Sequence, residues 1–395
     1  MAARRTLRTT ILLAATAALL LPGAPADAGE PGEPAPLTFS VVYSFESEAA
    51  GIGVDFTYQG PTGSRWKRPL IGDFVGDSTR NGGLDDILWY EPGPREEVLT
   101  RTNGDITSGR ARVPTVSGTY QPLIGHFGDD DGKEDILWYA PGPANDSLWD
   151  FNADGSITNI PVRIDGTYTP VLGNFDRDLG TDIIWYGPGS GRPDALWRFD
   201  GRGGRTAHPL RVDGTFTPVV GRFGGTDPAF DGGDDVFWYA PGRAPDALWD
   251  FDGLGGRSEV TMRVDGTYTP LAGDFTGDGY GDIFWYGRGT LPDSLWDFQG
   301  PLGQYRAVPQ TVDGWYQPVA GEIFEQGARL TDIVWFAPGS AADEVWDYKV
   351  AGQAPREVPV TLNGNRVPLL ARFFAYDDGD ALREGADLID RFIPT

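Results

Sequence analysis

Pro270-Leu271-Ala272-Gly273-Asp274-Phe275-Thr276-Gly277-Asp278-Gly279-Tyr280-Gly281-Asp282-Ile283-Phe284-Trp285-Tyr286-Gly287 reads as two short strands around one oxygen-rich turn. The first strand is a proline followed by small and apolar residues and ends at Gly273-Asp274-Phe275. The second, Asp282 to Tyr286, is apolar without alternation, the pattern of a strand covered on both faces. Downstream, Leu291-Pro-Asp-Ser-Leu-Trp-Asp-Phe298 supplies a third strand, and Arg306 to Val312 a fourth, before Asp313-Gly314 opens the next unit. Glycine and proline punctuate each joint, as turns require.

The same unit recurs along the chain. Its proline stands at Pro69, Pro122, Pro170, Pro218, Pro270, Pro318 and Pro368, at intervals of 48 to 53 residues. Strand two repeats as Asp135 to Tyr139 and Asp182 to Tyr186, strand three as Leu148 to Phe151 and Leu248 to Phe251, and strand four as residues 160–164. Four-stranded repeats of about 40–50 residues are the signature of propeller blades. The expected fold is all-β: a seven-bladed β-propeller of four-stranded antiparallel blades over residues 37–395. The last repeat stops after two strands, 367–374 and 387–392, while two spare strands, 38–45 and 54–59, precede the first. A seventh blade closed by N- and C-terminal strands is therefore expected, because closure removes exposed sheet edges.

Trp89, Trp138, Trp185, Trp238, Trp285 and Trp335 recur at one strand position, and Trp149, Trp197, Trp249, Trp296 and Trp346 at another. Repetition at one interior position reads as packing before it reads as ligand binding.

The loop between strands one and two carries the chemistry. In blade five, Asp274, Thr276, Asp278 and Asp282 place side-chain oxygens at positions 1, 3, 5 and 9, with Gly279 at the sharp turn and Tyr280 offering a carbonyl at position 7. In blade three the same positions hold Asn174, Asp176, Asp178 and Asp182. Hard oxygen donors at alternate positions of a tight loop are what Ca²⁺ takes. No Glu stands at position 12 and the loop leads into a strand, so it is not an EF-hand. The competing reading is that these carboxylates cap turns. Blade two keeps Asp129, Asp131 and Asp135, with His126 replacing the position-1 ligand. Blades one (Asp73, Asp77, Asp86) and four (Asp227, Asp231, Asp235) are longer, and blades six (Glu322 to Asp332) and seven (Asp378, Asp380, Asp387) are degraded. His208, before Pro209, reads as a turn residue without a catalytic partner.

The Gly-Asp-Phe…Gly-Asp-Gly…Asp-Ile-x-Trp-Tyr pattern resembles the FG-GAP and VCBS repeats of the integrin-alpha-type seven-bladed propeller, over nearly all of residues 37–395. The resemblance implies calcium in the strand one–two hairpins and ligand binding on the opposite face. The chain departs from that pattern in its Trp-Tyr-x-Pro-Gly signature and in the loops of blades one, four, six and seven. It is also similar in repeat style to fungal propellers of the Psathyrella-lectin type, which implies carbohydrate.

Composition narrows the alternatives. Without Cys, thiolate catalysis, disulfides and Cys-based metal sites are excluded, and His126 and His208 are too few for a His-rich site. A net charge of −25 argues against nucleic acid and anionic membrane surfaces as partners. Arg4, Arg5 and Arg8, the apolar run from Ile11 to Leu21, and Ala26-Asp27-Ala28 read as a signal peptide cleaved after Ala28. That run is too short to span a bilayer needing about 20 residues. Arg4-Arg5 also fits twin-arginine export, with general secretion the favoured route. Residues 29–36, Gly-Glu-Pro-Gly-Glu-Pro-Ala-Pro, form a stiff linker. The preference for Arg, with Lys67, Lys133 and Lys349 as the lysines, points to a GC-rich bacterial source. A secreted, extracellular monomer without membrane insertion is expected.

In a meander the two–three turns and the inter-blade links share the face opposite the cation loops. That face carries Asp165 and Tyr168, Asp213 and Phe216, Asp265 and Tyr268, and Asp313, Trp315 and Tyr316. An Asp beside an aromatic suits a sugar or peptide; it equally suits a turn with an aromatic plug. Three function classes stay open: a calcium-stabilised binding propeller for a carbohydrate or an extracellular protein, a polysaccharide lyase or hydrolase, and a structural adhesive. No serine or cysteine nucleophile motif stands out, and the repeats leave no separate catalytic domain.

Overall fold

The computed structural model describes residues 39–42, 55–58, 68–75, 85–90, 92–94, 97–101, 109–129, 131–189, 191, 193–225, 233–253, 256–321, 330–337, 342–348, 350–360 and 367–370. The expected export signal and linker, the expected strand 387–392, and Asp77, Asp227, Asp231, Glu322, Asp378, Asp380 and Asp387 lie outside them. Among the described residues, six four-stranded antiparallel sheets follow one another along the chain. Each is a meander in sequence order, so the protein is an all-β β-propeller with six four-stranded blades. The expectation of seven is corrected. The terminal strands form a three-stranded sheet in which Phe39–Val42 pairs antiparallel with Asp55–Tyr58 but parallel with Val367–Leu370. An antiparallel blade would need these two termini to run in opposite directions, and they run the same way.

Two compact units hold these sheets. Thr167–Pro359 carries blades three to six, and Glu33–Gly166 with Val360–Thr395 carries blades one and two and the terminal sheet. Blade five shows the common plan, with strands Thr269–Gly273, Asp282–Tyr286, Asp293–Phe298 and Tyr305–Gln310. Strand two is buried at every residue in all six blades, which is why its sequence does not alternate. Strand one is a sheet edge, so its proline costs no ladder hydrogen bond. Strand four is the other edge and is mostly exposed. In blade two it runs Ile157–Val162, starting earlier than the expected 160–164. Pro161, Pro209 and Pro309 occupy one register of that edge, opposite Ser147, Ala195 and Ser294 of strand three. Arg112 stands there in blade one and Thr261 in blade four.

Tryptophan is packing material, as the repetition implied. Within a blade the strand-two and strand-three indoles meet edge to face, with ring centroids 5.2 Å apart for Trp185 and Trp197 and 5.3 Å for Trp285 and Trp296. Between blades, the strand-two tyrosine packs on the next strand-two Trp, Tyr186 on Trp238 at 5.1 Å and Tyr239 on Trp285 at 5.0 Å. The Phe after strand one reaches the end of the next strand three, Phe175 to Phe251 and Phe223 to Phe298. Aromatic pairs of this kind contribute about 0.5–1.5 kcal/mol each beyond the area they bury.

Candidate cation loops and the link face

The loop geometry begins with a carboxylate staple. The position-9 aspartate opens strand two and is almost completely buried. In blade five its Oδ2 accepts the Phe275 and Thr276 N–H groups and its Oδ1 the N–H of Phe298, at the end of strand three. Asp182 accepts from Phe175 and Phe199, Asp135 from Phe127, Gly128 and Phe151, and Asp235 from Phe223 and Phe251. This residue therefore ties the strand one–two loop to strand three by satisfying backbone donors that would otherwise be buried unpaired. Burial outweighs those donors and pushes Asp135 up to about 7 and Asp182 up to about 8. In Asp282, also about 8, the charges of Asp274, Asp297 and Asp278 add to burial.

Blades three and five fold their loops the same way. Asn174 Oδ1 accepts the Arg177 N–H at 2.8 Å, and Asp274 Oδ1 accepts the Gly277 N–H at 2.6 Å. Gly277 has φ +77°, and Arg177 takes the same left-handed conformation at φ +64°. Asp178 and Asp278 each cap the backbone two residues on, at Gly180 and Tyr280. Asp176 is half-buried beside Asp178, whose carboxyl is pushed up to about 6, first by burial and then by that neighbour. In blade five the Thr276 hydroxyl faces Asp278, and Tyr280 is buried. So the turn-capping reading holds for these residues, whatever else they bind.

In blade two, Asp131 caps Lys133, whose ammonium turns away to Asp73 of blade one at 2.6 Å. Asp129 is exposed, and the Oδ2 of Asp131 is buried without a donor. His126 sits at position 1 with Nδ1 2.9 Å from the Lys133 carbonyl. His208 lies on strand four, Arg205–Leu210, 3.0 Å from the Thr206 hydroxyl, and not in a turn. Among the described residues, no three His, Asp or Glu side chains converge in metal-holding geometry.

The residue before the strand-three Phe also faces the loop. It is Asp150 in blade two, Arg198 in blade three, and Asp297 in blade five. Asp297 is 1% exposed; its Oδ2 accepts from Arg306 and Gln299, and its Oδ1 has no donor. Arg198 Nε lies 3.9 Å from Asp176 Oδ2. The motif Leu-Trp-x-Phe, read only for its apolar residues, held this position in view.

A second carboxylate series escaped the sequence reading altogether. The first residue of strand three, Asp146, Asp194, Asp246 and Asp293, binds one N–H of the two–three loop and one of the following link. Asp293 accepts from Gly287 and Val312 at 2.7 Å each, and Asp146, Asp194 and Asp246 repeat the pair. Its signal was present as an Asp two residues before each Leu-Trp.

On the link face, a glycine bridge joins loop and link, as between Gly289 and Gly314. Gly314 has φ +150°, and a Cβ there would lie 2.6 Å from the Tyr316 ring. Tyr168, Phe216, Tyr268 and Tyr316 are half-buried and lean edge-on against Trp185, Trp238, Trp285 and Trp335. Phe216, Tyr268 and Tyr316 are inter-blade plugs in contact geometry. Asp165, Asp213 and Asp265 are exposed and paired with Arg163, Arg211 and Arg263. Asp313 is exposed beside Trp315, which is 72% exposed. No helix in the described residues is long and apolar enough to cross a membrane.

No protein-family model matches the chain, and no curated protein is detectably similar to it. The likeness to FG-GAP and VCBS repeats therefore rests on the residues quoted above and on the four-stranded antiparallel blades.

Proposed function

We propose that the protein is a secreted, calcium-binding β-propeller that acts as a binding or adhesion module, with a carbohydrate as the favoured ligand and a surface protein as the alternative outcome. The observation that carries the ligand reading is Trp315. The links at Gly118, Gly166, Gly214 and Gly266 place Thr where this one places an indole, and the large aromatics at Tyr168 and Tyr268 are committed to packing. An indole held 72% exposed on a bridged backbone, two residues after the exposed Asp313, offers a flat apolar face in a segment that also carries a hydrogen-bond acceptor. That combination suits the apolar face and hydroxyls of a sugar ring. The preceding link of the same unit carries the exposed Arg263–Asp265 pair.

The calcium reading is supported by the donor chemistry. The loops of blades two and five present oxygen ligands, and buried carboxylate oxygens on Asp131 and Asp297 lack a hydrogen-bond donor. Such oxygens fit a hard cation. Calcium would join loop and strand and would add stability by binding the folded state alone.

Affinity electrophoresis through gels containing plant or bacterial cell-wall polysaccharides tests the ligand. Retardation of the wild type that is lost in Trp315→Ala, at unchanged melting temperature, is the expected result. Equal mobility of the two proteins in every gel overturns the Trp315 assignment. Shortening of the polymer by the wild type would place the protein among polysaccharide-degrading enzymes instead.

A further inference from the structure

We infer that the ligand held at Trp315 is a sugar bearing a protonated amine, bound by the indole face together with the charge of Asp313. The inference rests on the carbohydrate reading above and adds to it the sign of the ligand's charge.

The repeat supplies its own control. Three links carry an aspartate that an arginine two positions earlier neutralises: Arg163 with Asp165, Arg211 with Asp213 and Arg263 with Asp265. The link into blade six has Thr311 in place of that arginine. Asp313 is exposed there, and among the described residues no cation lies within ion-pair distance of it. Its charge reaches the buried Asp293, whose carboxyl is raised by burial first and then by Asp313. The link that lacks the arginine is the one that gains the indole, Trp315 standing where Thr167, Thr215 and Thr267 stand in the other three.

The indole is displayed on a fixed backbone. The Tyr286 hydroxyl donates to the Gly314 carbonyl at 2.8 Å and accepts the Tyr316 N–H at 2.9 Å, so the residues on both sides of Trp315 are held. A Cβ on Gly289 would lie 3.7 Å from Trp315 Nε1, whereas one on Gly142, Gly189 or Gly242 would meet nothing. This indole therefore lies along the two–three loop of blade five, and little side-chain freedom is left to lose on binding.

An indole face attracts a cation through its quadrupole, and a carboxylate without a counterion in the same link adds a second attraction of the same sign. The net charge of −25 draws cations towards the chain and turns anions away. A neutral sugar would use the indole but gain nothing from the missing arginine. Arg288, in the two–three loop, is exposed, and its charge is felt at the Tyr286 hydroxyl. It opposes a cationic ligand and so gauges the sign of whatever binds.

The test is calorimetric titration of the full chain, in mildly acidic buffer, with glucosamine trimer and with N-acetylglucosamine trimer. The two share ring and linkage and differ in charge. The wild type should bind the glucosamine trimer at least about tenfold more tightly. Asp313→Asn should remove that preference, Arg288→Gln should enlarge it, and Trp315→Ala should weaken both trimers, with melting curves verifying that each variant is folded. Equal affinity for the two trimers, or a preference unchanged in Asp313→Asn, overturns the cationic ligand while leaving the carbohydrate reading standing. Weaker binding in Arg288→Gln overturns it too, by showing that the ligand is anionic. Trilysine bound as tightly, with the same dependence on Asp313, overturns the sugar in favour of a basic peptide. If neither trimer binds, this inference falls, and the polysaccharide gels decide the carbohydrate reading separately.

Discussion

Blades three and five carry one loop on one scaffold. Both begin at strand one, both pass through a left-handed residue at position 4, and both close on a buried position-9 aspartate that grips strand three. They differ in what faces the loop: Asn174 and Arg198 in one, Asp274 and Asp297 in the other. The shape of such a loop is thus set by backbone capping, and its electrostatic demand is set by two side chains that capping leaves free to vary.

The largest effect tests whether the staple is common to both. Asp182→Ala and Asp282→Ala should each cost about 3–5 kcal/mol, because buried backbone N–H groups lose their acceptor. Urea denaturation in chelator checks this, and a markedly smaller loss in one blade would show that the loops are not built alike. The next effect belongs to blade five. At calcium about 100-fold above its dissociation constant, one site adds about 2.7 kcal/mol. Asp278→Ala should abolish that gain for its blade.

Proton linkage gives a third comparison. Asp182 and Asp282 have folded pKa values raised from 3.8 to about 8, so their protonated forms favour the fold. The associated stability is complete below about pH 4 and is lost as pH rises through 8. In chelator, melting temperature should fall by several degrees between pH 6 and pH 9. Calcium should flatten that fall by favouring ionised Asp282. The smallest effect is local. Arg177→Gly should stabilise by about 1 kcal/mol by removing a Cβ from a left-handed position. Gly277→Ala should destabilise, because its Cβ would meet the Leu330 side chain at 2.6 Å.

Much of the architecture was legible because each blade repeats a strand buried on both faces. Asp282 to Tyr286 has to be interior wherever it occurs, and its indole has to pack. Blade number was not legible. Pro368 announces a seventh unit as clearly as Pro318 announces a sixth, yet strand direction at the termini depends on pairing between residues more than 300 positions apart. The loops between strands one and two were readable as contiguous oxygen patterns. Arg198 was not, because it lies 16 residues beyond the position-9 aspartate and looks like one variable letter in Leu-Trp-x-Phe. The aspartates that begin strand three were overlooked for a related reason. Their partners are backbone amides of a loop and a link, which carry no mark in a sequence.

The prolines of the outer strands bear on solubility. An outermost strand offers its free amides to any chain that can lie alongside, and a residue without an N–H interrupts that row. Blades two, three and five carry the interruption at Pro161, Pro209 and Pro309. Blade four has Thr261, a good strand former with its amide intact. In crowded solution, edge-to-edge association of two molecules should start at that blade, and a proline at position 261 would be the economical way to keep concentrated protein dispersed.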